Sequence, residues 1–342
     1  MMDQSVLDSF FAQGKELRVL FRHFQEGTFV HAYLITGEKG FGKRTLARLL
    51  SAALLCTSKG ARPCCVCKNC LLVEKGEHPD LIMIEQGKPL SQGVKKDRTT
   101  IPVEDIREII RQCSIRSTEG NVHVVTIFDA DKMTVQAQSC LLKTLEEPPS
   151  DTCMILVTDH PETLLPTVIS RCRIVRVKAW DDEYLCRVLE KRGVQPNRIH
   201  ASVSASNGSV GRALELAGDE QYWRLREEVL ESFFRNTSRS NVLRISNAWK
   251  DRKQDAENIL NILSSFVSTL AEARFYPEKK ADLSCFPSNW LAFSEKAEKQ
   301  RFVQLIEAIA EARSQLQYSV NFQAVMEKLL LTFMGEGNKW QQ

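Results

Sequence analysis

Residues 37–43 of this 342-residue chain read Gly37-Glu38-Lys39-Gly40-Phe41-Gly42-Lys43. Two glycines with four residues between them and a lysine after them form a phosphate-binding loop, in which backbone N–H groups and the lysine ammonium meet phosphate oxygens. The pattern then asks for Ser or Thr, whose hydroxyl ligates a Mg²⁺ ion bridging the β- and γ-phosphates. Arg44 stands there instead, with Thr45 one place further on. The cradle is kept and the metal ligand is lost. ATP could still touch Lys43 and the glycines, with Mg²⁺ held more weakly.

An acid suited to the metal ends a second stretch, Val122-His123-Val124-Val125-Thr126-Ile127-Phe128-Asp129. Asp129 follows an apolar run and so falls at the carboxyl end of a buried strand, where α/β folds place ligands. ATPases of this type follow that Asp with a Glu that polarises the attacking water. Here Ala130 follows, and a methyl group neither accepts a proton nor orients water. Asp131 is displaced by one residue, which turns its side chain elsewhere. Turnover by this chain alone is not expected.

Four cysteines supply different chemistry. Cys64, Cys67 and Cys70 have two residues between successive members, and Cys56 precedes them with seven residues between. Four thiolates within so short a stretch suit a tetrahedral Zn²⁺ with Zn–S near ~2.3 Å and no open position, hence a structural metal. Cys65 is extra. A redox pair or disulfides are the competing readings. Nothing suggests export, and the other six cysteines are scattered singly, which speaks against a disulfide framework.

The elements that must hold these groups are legible. Ala32-Tyr33-Leu34-Ile35-Thr36 is a short apolar run that predicts a buried strand, and Leu46, Leu49, Leu50, Ala53 and Leu54 predict a helix over 44–55. Strand, glycine turn and helix aim backbone N–H groups and a helix N-terminus at phosphate. Arg173-Ile174-Val175-Arg176-Val177 predicts a last core strand. Beyond it, breaks at 193–196 and 207–209 separate short helices, and residues 220–342 show helical periodicity alone, as at Ile259, Ile262, Leu263, Phe266, Val267 and Leu270. Residues 274–287, with two prolines and a lysine pair, read as a loop.

Two longer strings carry a family resemblance. Residues 136–149 run QAQSCLLKTLEEPP and residues 155–172 run ILVTDHPETLLPTVISRC. Both closely resemble the clamp-loader branch of the AAA+ ATPases, as do His31-Ala32-Tyr33-Leu34 and the segment 102–107. The resemblance is dense over about residues 25–220 and thin beyond. It implies an α/β AAA+ core, a parallel sheet with flanking helices, over 1–178, with a zinc module inserted at about 56–70. It further implies a small helical lid over 179–219 and an all-α collar over 220–342 through which five subunits hold one another.

The resemblance also implies roles. Arg171, in Ser170-Arg171-Cys172, is the arginine finger that reaches ATP on a neighbouring subunit, a task suited to an always-charged guanidinium. Thr158 matches the polar sensor at the end of its strand. Arg212 lies near the second sensor, although relatives place that arginine where this chain has Gly211. The implied partners are the other clamp-loader subunits, the sliding clamp and primed DNA. A helix over 103–116 carrying Arg107, Arg111 and Arg116, preceded by Lys95, Lys96 and Arg98, faces DNA in the family; solvated helix charges explain these residues equally well. An ATP-hydrolysing motor subunit of the same assembly is the alternative reading. A zinc-dependent nucleic-acid-binding protein on an AAA+ scaffold is a more distant one.

Bulk properties agree. A net charge of +3 announces no polybasic tail. Residues 1–20, with Asp3 and Asp8, lack the uninterrupted apolar core of a signal peptide or anchor. No stretch approaches ~18 apolar residues, so no membrane partner is expected and the cytoplasm is the natural location.

Overall fold

The computed structural model describes residues 4–87, 99–115, 117, 122–149, 151–235, 238–276, 286, 288–318 and 320–334. Lys95, Lys96, Arg98, Arg116 and most of the 274–287 segment lie outside them. The chain divides into two compact units: residues 1–180 with 209–211, and residues 181–208 with 212–342.

The first unit is built on five parallel strands, β1 (Ala32–Thr36), β2 (Leu81–Ile84), β3 (His123–Ile127), β4 (Thr152–Thr158) and β5 (Arg173–Arg176), in the order β2-β3-β4-β1-β5. Every residue of β1, β3 and β4 is buried, as expected for parallel strands covered on both faces, and their sequences are accordingly continuous apolar runs without alternation. Among the described residues, seven α-helices accompany the sheet: α1 (Gln4–Ala12), α2 (Lys15–Glu26), α3 (Lys43–Leu55), α4 (Lys68–Lys75), α5 (Val103–Cys113), α6 (Val135–Glu146) and the short α7 (Pro166–Ile169). Ile106 and Ile109 of α5 and Leu141 and Leu145 of α6 share a core with Leu34, Val125 and Leu156 of the sheet. Thr36 of β1 is level with Thr158 of β4, which brings the loop after β1 beside residues 158–159. At the far edge, β5 pairs with β1 on one side and exposes Arg173, Ile174 and Arg176 while burying Val175.

The second unit is helical throughout its described residues: α8 (Asp182–Lys191), α9 (Pro196–Ser204), α10 (Val210–Gly218, whose first two residues belong to the first unit), α11 (Glu220–Leu230), α12 (Arg239–Trp249), α13 (Ala256–Phe275), α14 (Ser288–Lys296), α15 (Lys299–Gln317) and α16 (Phe322–Met334). Local chemistry sets the starts. Asp181 and Asp219 accept hydrogen bonds from backbone N–H groups in the first turns of α8 and α11, and Pro196 opens α9. Ala205 and Leu216 belong to the same continuous core as Val229, Trp249, Phe266, Trp290 and Phe333 of the later helices. The Ser265 hydroxyl donates to Ser204 Oγ at 2.8 Å within that packing. No helix among the described residues is long and apolar enough to cross a membrane.

Candidate nucleotide cleft and cysteine cluster

The glycine loop is shaped by its backbone. Gly37 has φ 146°, and a Cβ there would lie 2.5 Å from the Val177 carbonyl oxygen, so no side chain fits. Gly42, at φ 94°, starts α3. Between them, four successive carbonyls find donors inside the protein. The Glu38 oxygen accepts from Lys43 Nζ at 2.6 Å, the Lys39 oxygen from Ser209 Oγ at 3.1 Å, the Gly40 oxygen from the Gly211 N–H at 3.1 Å and the Phe41 oxygen from Trp180 Nε1 at 2.8 Å. Gly211 lies so close that a Cβ on it would stand 3.0 Å from Gly40 Cα. Phe10 and Trp180 make an edge-to-face pair at 5.1 Å beside Gly42. The loop is therefore enclosed by its own unit.

Lys43 and Arg44 are both engaged by carboxylates. Lys43 is buried, and its ammonium also meets Asp159 Oδ1 at 2.6 Å. Arg44 spans two carboxylates, with Nη1 2.5 Å from Glu85 Oε2 and Nη2 2.6 Å from Asp129 Oδ2, and its guanidinium lies 4.9 Å from the centre of the Phe128 ring. Burial opposes the charge of Arg44, but hydrogen bonds and attraction from Asp129 and then Glu85 outweigh it and hold its pKa up. Asp129 and Glu85 end the runs that form β3 and β2, so adjacent parallel strands deliver them to the same edge. A triphosphate would have to displace Asp159 from Lys43 before gaining its usual cation. Thr45 is half-buried in the first turn of α3.

Thr158 and Arg212, which the family resemblance sets at or near sensor positions, are likewise engaged. Thr158 donates to Asp131 Oδ1 at 2.9 Å and accepts from the His160 N–H at 2.9 Å. Burial raises the Asp131 pKa, but bonds from Lys132 and Thr158 more than offset that and hold it below the usual carboxylate range. Ala130 is wholly buried. Arg212 falls in the second unit, where it donates to Asn258 Oδ1 at 2.7 Å.

Arg171 leaves a short turn after α7. Val168, completely buried, and Cys172, packed against the sheet core, anchor that turn on either side. Its guanidinium donates to Glu146 Oε1 at 2.5 Å, the Thr167 carbonyl at 3.0 Å and Ser170 Oγ at 3.4 Å, and the side chain is 34% exposed. On α5, Arg107 and Arg111 are exposed opposite the buried face of Ile106 and Ile109. Arg111 is paired with Glu108 and holds that carboxyl down to about 2.

Cys56, Cys64, Cys67 and Cys70 converge, with sulfurs all within 4.8 Å of one another. The Cys56–Cys67 and Cys64–Cys70 separations are 3.9 and 4.0 Å, close to the ~3.8 Å that a tetrahedron with 2.3 Å bonds requires. The cluster fits a four-coordinate thiophilic ion such as zinc. Two turns offer N–H groups to sulfur, Cys67 N to Cys64 Sγ and Cys70 N to Cys67 Sγ, both at 3.4 Å. Burial works against the Cys67 thiolate, but the N–H groups of Cys70 and Thr57 and neighbouring thiols prevail and bring its pKa to about 6; burial pushes Cys70 up. Cys65, at φ 60°, directs its thiol to the Pro63 carbonyl at 3.9 Å instead of joining the four. Asn69 Nδ2 donates to the Leu55 carbonyl at 3.1 Å, tying the cluster to the end of α3.

Sequence reasoning did not single out Glu85, Asp159, Ser209 or Glu146 as site residues. Glu85 had a signal, an acid closing the apolar run Leu81-Ile82-Met83-Ile84 as Asp129 closes its own. Ser209 had none, since its contact with the loop joins positions 170 residues apart.

Comparison with known proteins gives a consistent set of relatives. A family model described as DNA polymerase III, delta subunit, matches residues 12–181, and a model of the C-terminal part of that subunit matches residues 220–334. The chain is 28% identical over 324 residues to the DNA polymerase III subunit delta' of Bacillus subtilis, covering 93% of this chain and 95% of that protein. It is 34% identical over 212 residues to the delta' subunit of Escherichia coli, 61% of this chain and 60% of that protein, and 34% identical over 197 residues to the tau subunit of the same organism, of which 29% is covered. A crystal structure of a DNA polymerase III gamma subunit-related protein from Thermotoga maritima aligns over 93% of this chain and 98% of that one, at 17% identity and a TM-score of 0.41. At that score it carries no weight beside the matches in sequence.

Proposed function

The chain belongs to the clamp-loader family of DNA polymerase III subunits, and from that premise we propose that it acts as a stator. In this reading it joins the ATPase subunits and a delta subunit in a hetero-pentamer that opens the sliding clamp and loads it on primed DNA in the cytoplasm. It contributes Arg171 to a neighbour's active site and hydrolyses nothing itself.

The observation that carries this reading is the bridge from Arg44 to Asp129 and Glu85. A hydrolytic site needs its strand-end acid to hold Mg²⁺ and needs a base beside it. Here the acid is neutralised by the protein's own guanidinium, and the base position holds a buried methyl group. Lys43, paired with Asp159, adds to the argument. Arg171 differs from these groups, because it sits at the surface with N–H bonds to spare. A guanidinium delivered across an interface would offset charge on the γ-phosphoryl oxygens in the transition state. The four cysteines would hold Zn²⁺ as a structural ion, since four protein ligands leave no open position. The helices of residues 220–334 form the collar contacts in this scheme. Arg107 and Arg111 are the described residues through which DNA phosphates would be met, once Arg111 exchanges Glu108 for a phosphate.

The test is the DNA-stimulated ATPase rate of the reconstituted loader, wild type against Arg171→Ala. An arginine finger contributes on the order of 10³ in turnover at the site it serves. Because the loader has other sites, a partial fall is expected, with assembly intact by size-exclusion chromatography. An unchanged rate would overturn the trans-acting role.

A further inference from the structure

We infer that Glu146 is a positioning residue for Arg171: its carboxylate holds the guanidinium in the orientation in which it meets the neighbouring subunit's nucleotide. The inference rests on the trans-acting reading of Arg171 and adds to it a residue with a separable effect.

Glu146 is the last residue of α6. A carboxylate at a helix C-terminus faces the negative end of the helix dipole, an unfavourable place for it. Helix stability therefore does not account for an acid there; a cation partner does. That partner is Arg171, 25 residues on, with Nη2 2.5 Å from Glu146 Oε1. Both backbones are fixed from below. Leu145, next to Glu146, is 1% exposed, and Val168 and Cys172 pin the turn that carries Arg171. The two side chains stand above this base, 49% and 34% exposed.

An arginine side chain on a surface turn has rotamer freedom that must be given up at the reacting geometry. Here three acceptors on the chain itself, Glu146, Thr167 and Ser170, take up one edge of the guanidinium in advance. Arginine has five N–H bonds, so two remain for an incoming phosphate oxygen. A half-exposed ion pair contributes little to folding, which makes Glu146 removable without loss of the fold.

The experiment compares loaders reconstituted with wild type, Arg171→Ala, Glu146→Ala and Glu146→Gln, measuring kcat and KM for ATP in the presence of primed DNA and clamp. The gap between wild type and Arg171→Ala defines the finger-dependent part of kcat. Glu146→Ala is expected to lower that part roughly tenfold with KM unchanged, as loss of a fixed orientation does. Glu146→Gln, which keeps an acceptor oxygen, is expected to recover to within about twofold of wild type. Assembly and melting temperature should match wild type throughout. Two results overturn the inference while sparing the reading beneath it: Glu146→Ala at the wild-type rate when Arg171→Ala falls, or Glu146→Ala above wild type, which would make the carboxylate a competitor of phosphate. An unchanged Arg171→Ala removes the reading and the inference together.

Discussion

Arg44 Nη2 lies 2.6 Å from Asp129 Oδ2, joining the residue after the loop lysine to the acid beyond β3. In a metal-dependent site these two positions meet through a divalent ion; here they meet directly. The same guanidinium also reaches Glu85, so a single positive charge faces two carboxylates.

Replacing Arg44 by Thr removes the internal cation and restores a hydroxyl. Asp129 and Glu85 are then left facing each other, and a divalent cation becomes their natural partner. The wild-type melting temperature should be the same in EDTA and in millimolar Mn²⁺. Arg44→Thr should melt lower in EDTA and recover with Mn²⁺. At ten times its Kd the ion stabilises by about 1.4 kcal/mol, a rise of roughly 3–5 °C. Equal insensitivity in both proteins would show that Arg44 does not occupy the cation position.

Metal analysis of the purified chain should find one zinc per molecule. Cys67→Ser should lose it and Cys65→Ser should keep it, because the Cys65 thiol turns away from the cluster. Stripping the metal is expected to destabilise the protein by several kcal/mol, since ligand binding free energy is folding free energy at such sites. Zinc content read by mass spectrometry beside urea unfolding checks both halves.

Gly37→Ala should destabilise the first unit by roughly 2–4 kcal/mol, combining a left-handed backbone with a collision against the Val177 carbonyl. Gly193, also at positive φ but with nothing within 4 Å of its missing Cβ, should lose only about 1 kcal/mol on the same change. Urea denaturation curves separate the two.

Asp131 titrates below the usual carboxylate range in the folded state, where Lys132 and Thr158 bond to its charged form. A folded-state pKa below the unfolded one adds stability at pH above about 4, lost as the pH falls through the folded value. Asp131→Asn should therefore be less stable than wild type at pH 7, and the gap should close below about pH 4. A gap independent of pH would assign the effect to packing.

Much of this is legible in the sequence, and the reason is locality. The glycine loop and the four cysteines bring together residues close in the chain, so spacing alone carried their geometry. The apolar runs of β1 and β3 marked buried strands, while the parallel order of the sheet was implied by the family resemblance alone. Partners far apart in sequence left no such trace. Arg44 was visible as a lost metal ligand, but its bridge to Glu85 and Asp129 depends on how β2 and β3 lie side by side. The capping of the loop by Ser209 and Gly211 depends on a chain return that no periodicity encodes. The core shared by Ala205, Leu216 and Phe266 was hidden likewise, because helical spacing tells which face is apolar and not which helix it meets.

The sheet stops at β5, and its outer side has no strand partner among the described residues. An open strand edge is a template on which other chains can add, and the hazard is greatest while a newly made subunit waits for its assembly. Arg173 and Arg176 are both exposed on this strand, so a second copy approaching in register would bring like charges together. Exposed charge at such an edge is expected to disfavour strand addition. Replacing both with Val would be expected to leave the folded core intact and shorten the time the free subunit stays in solution.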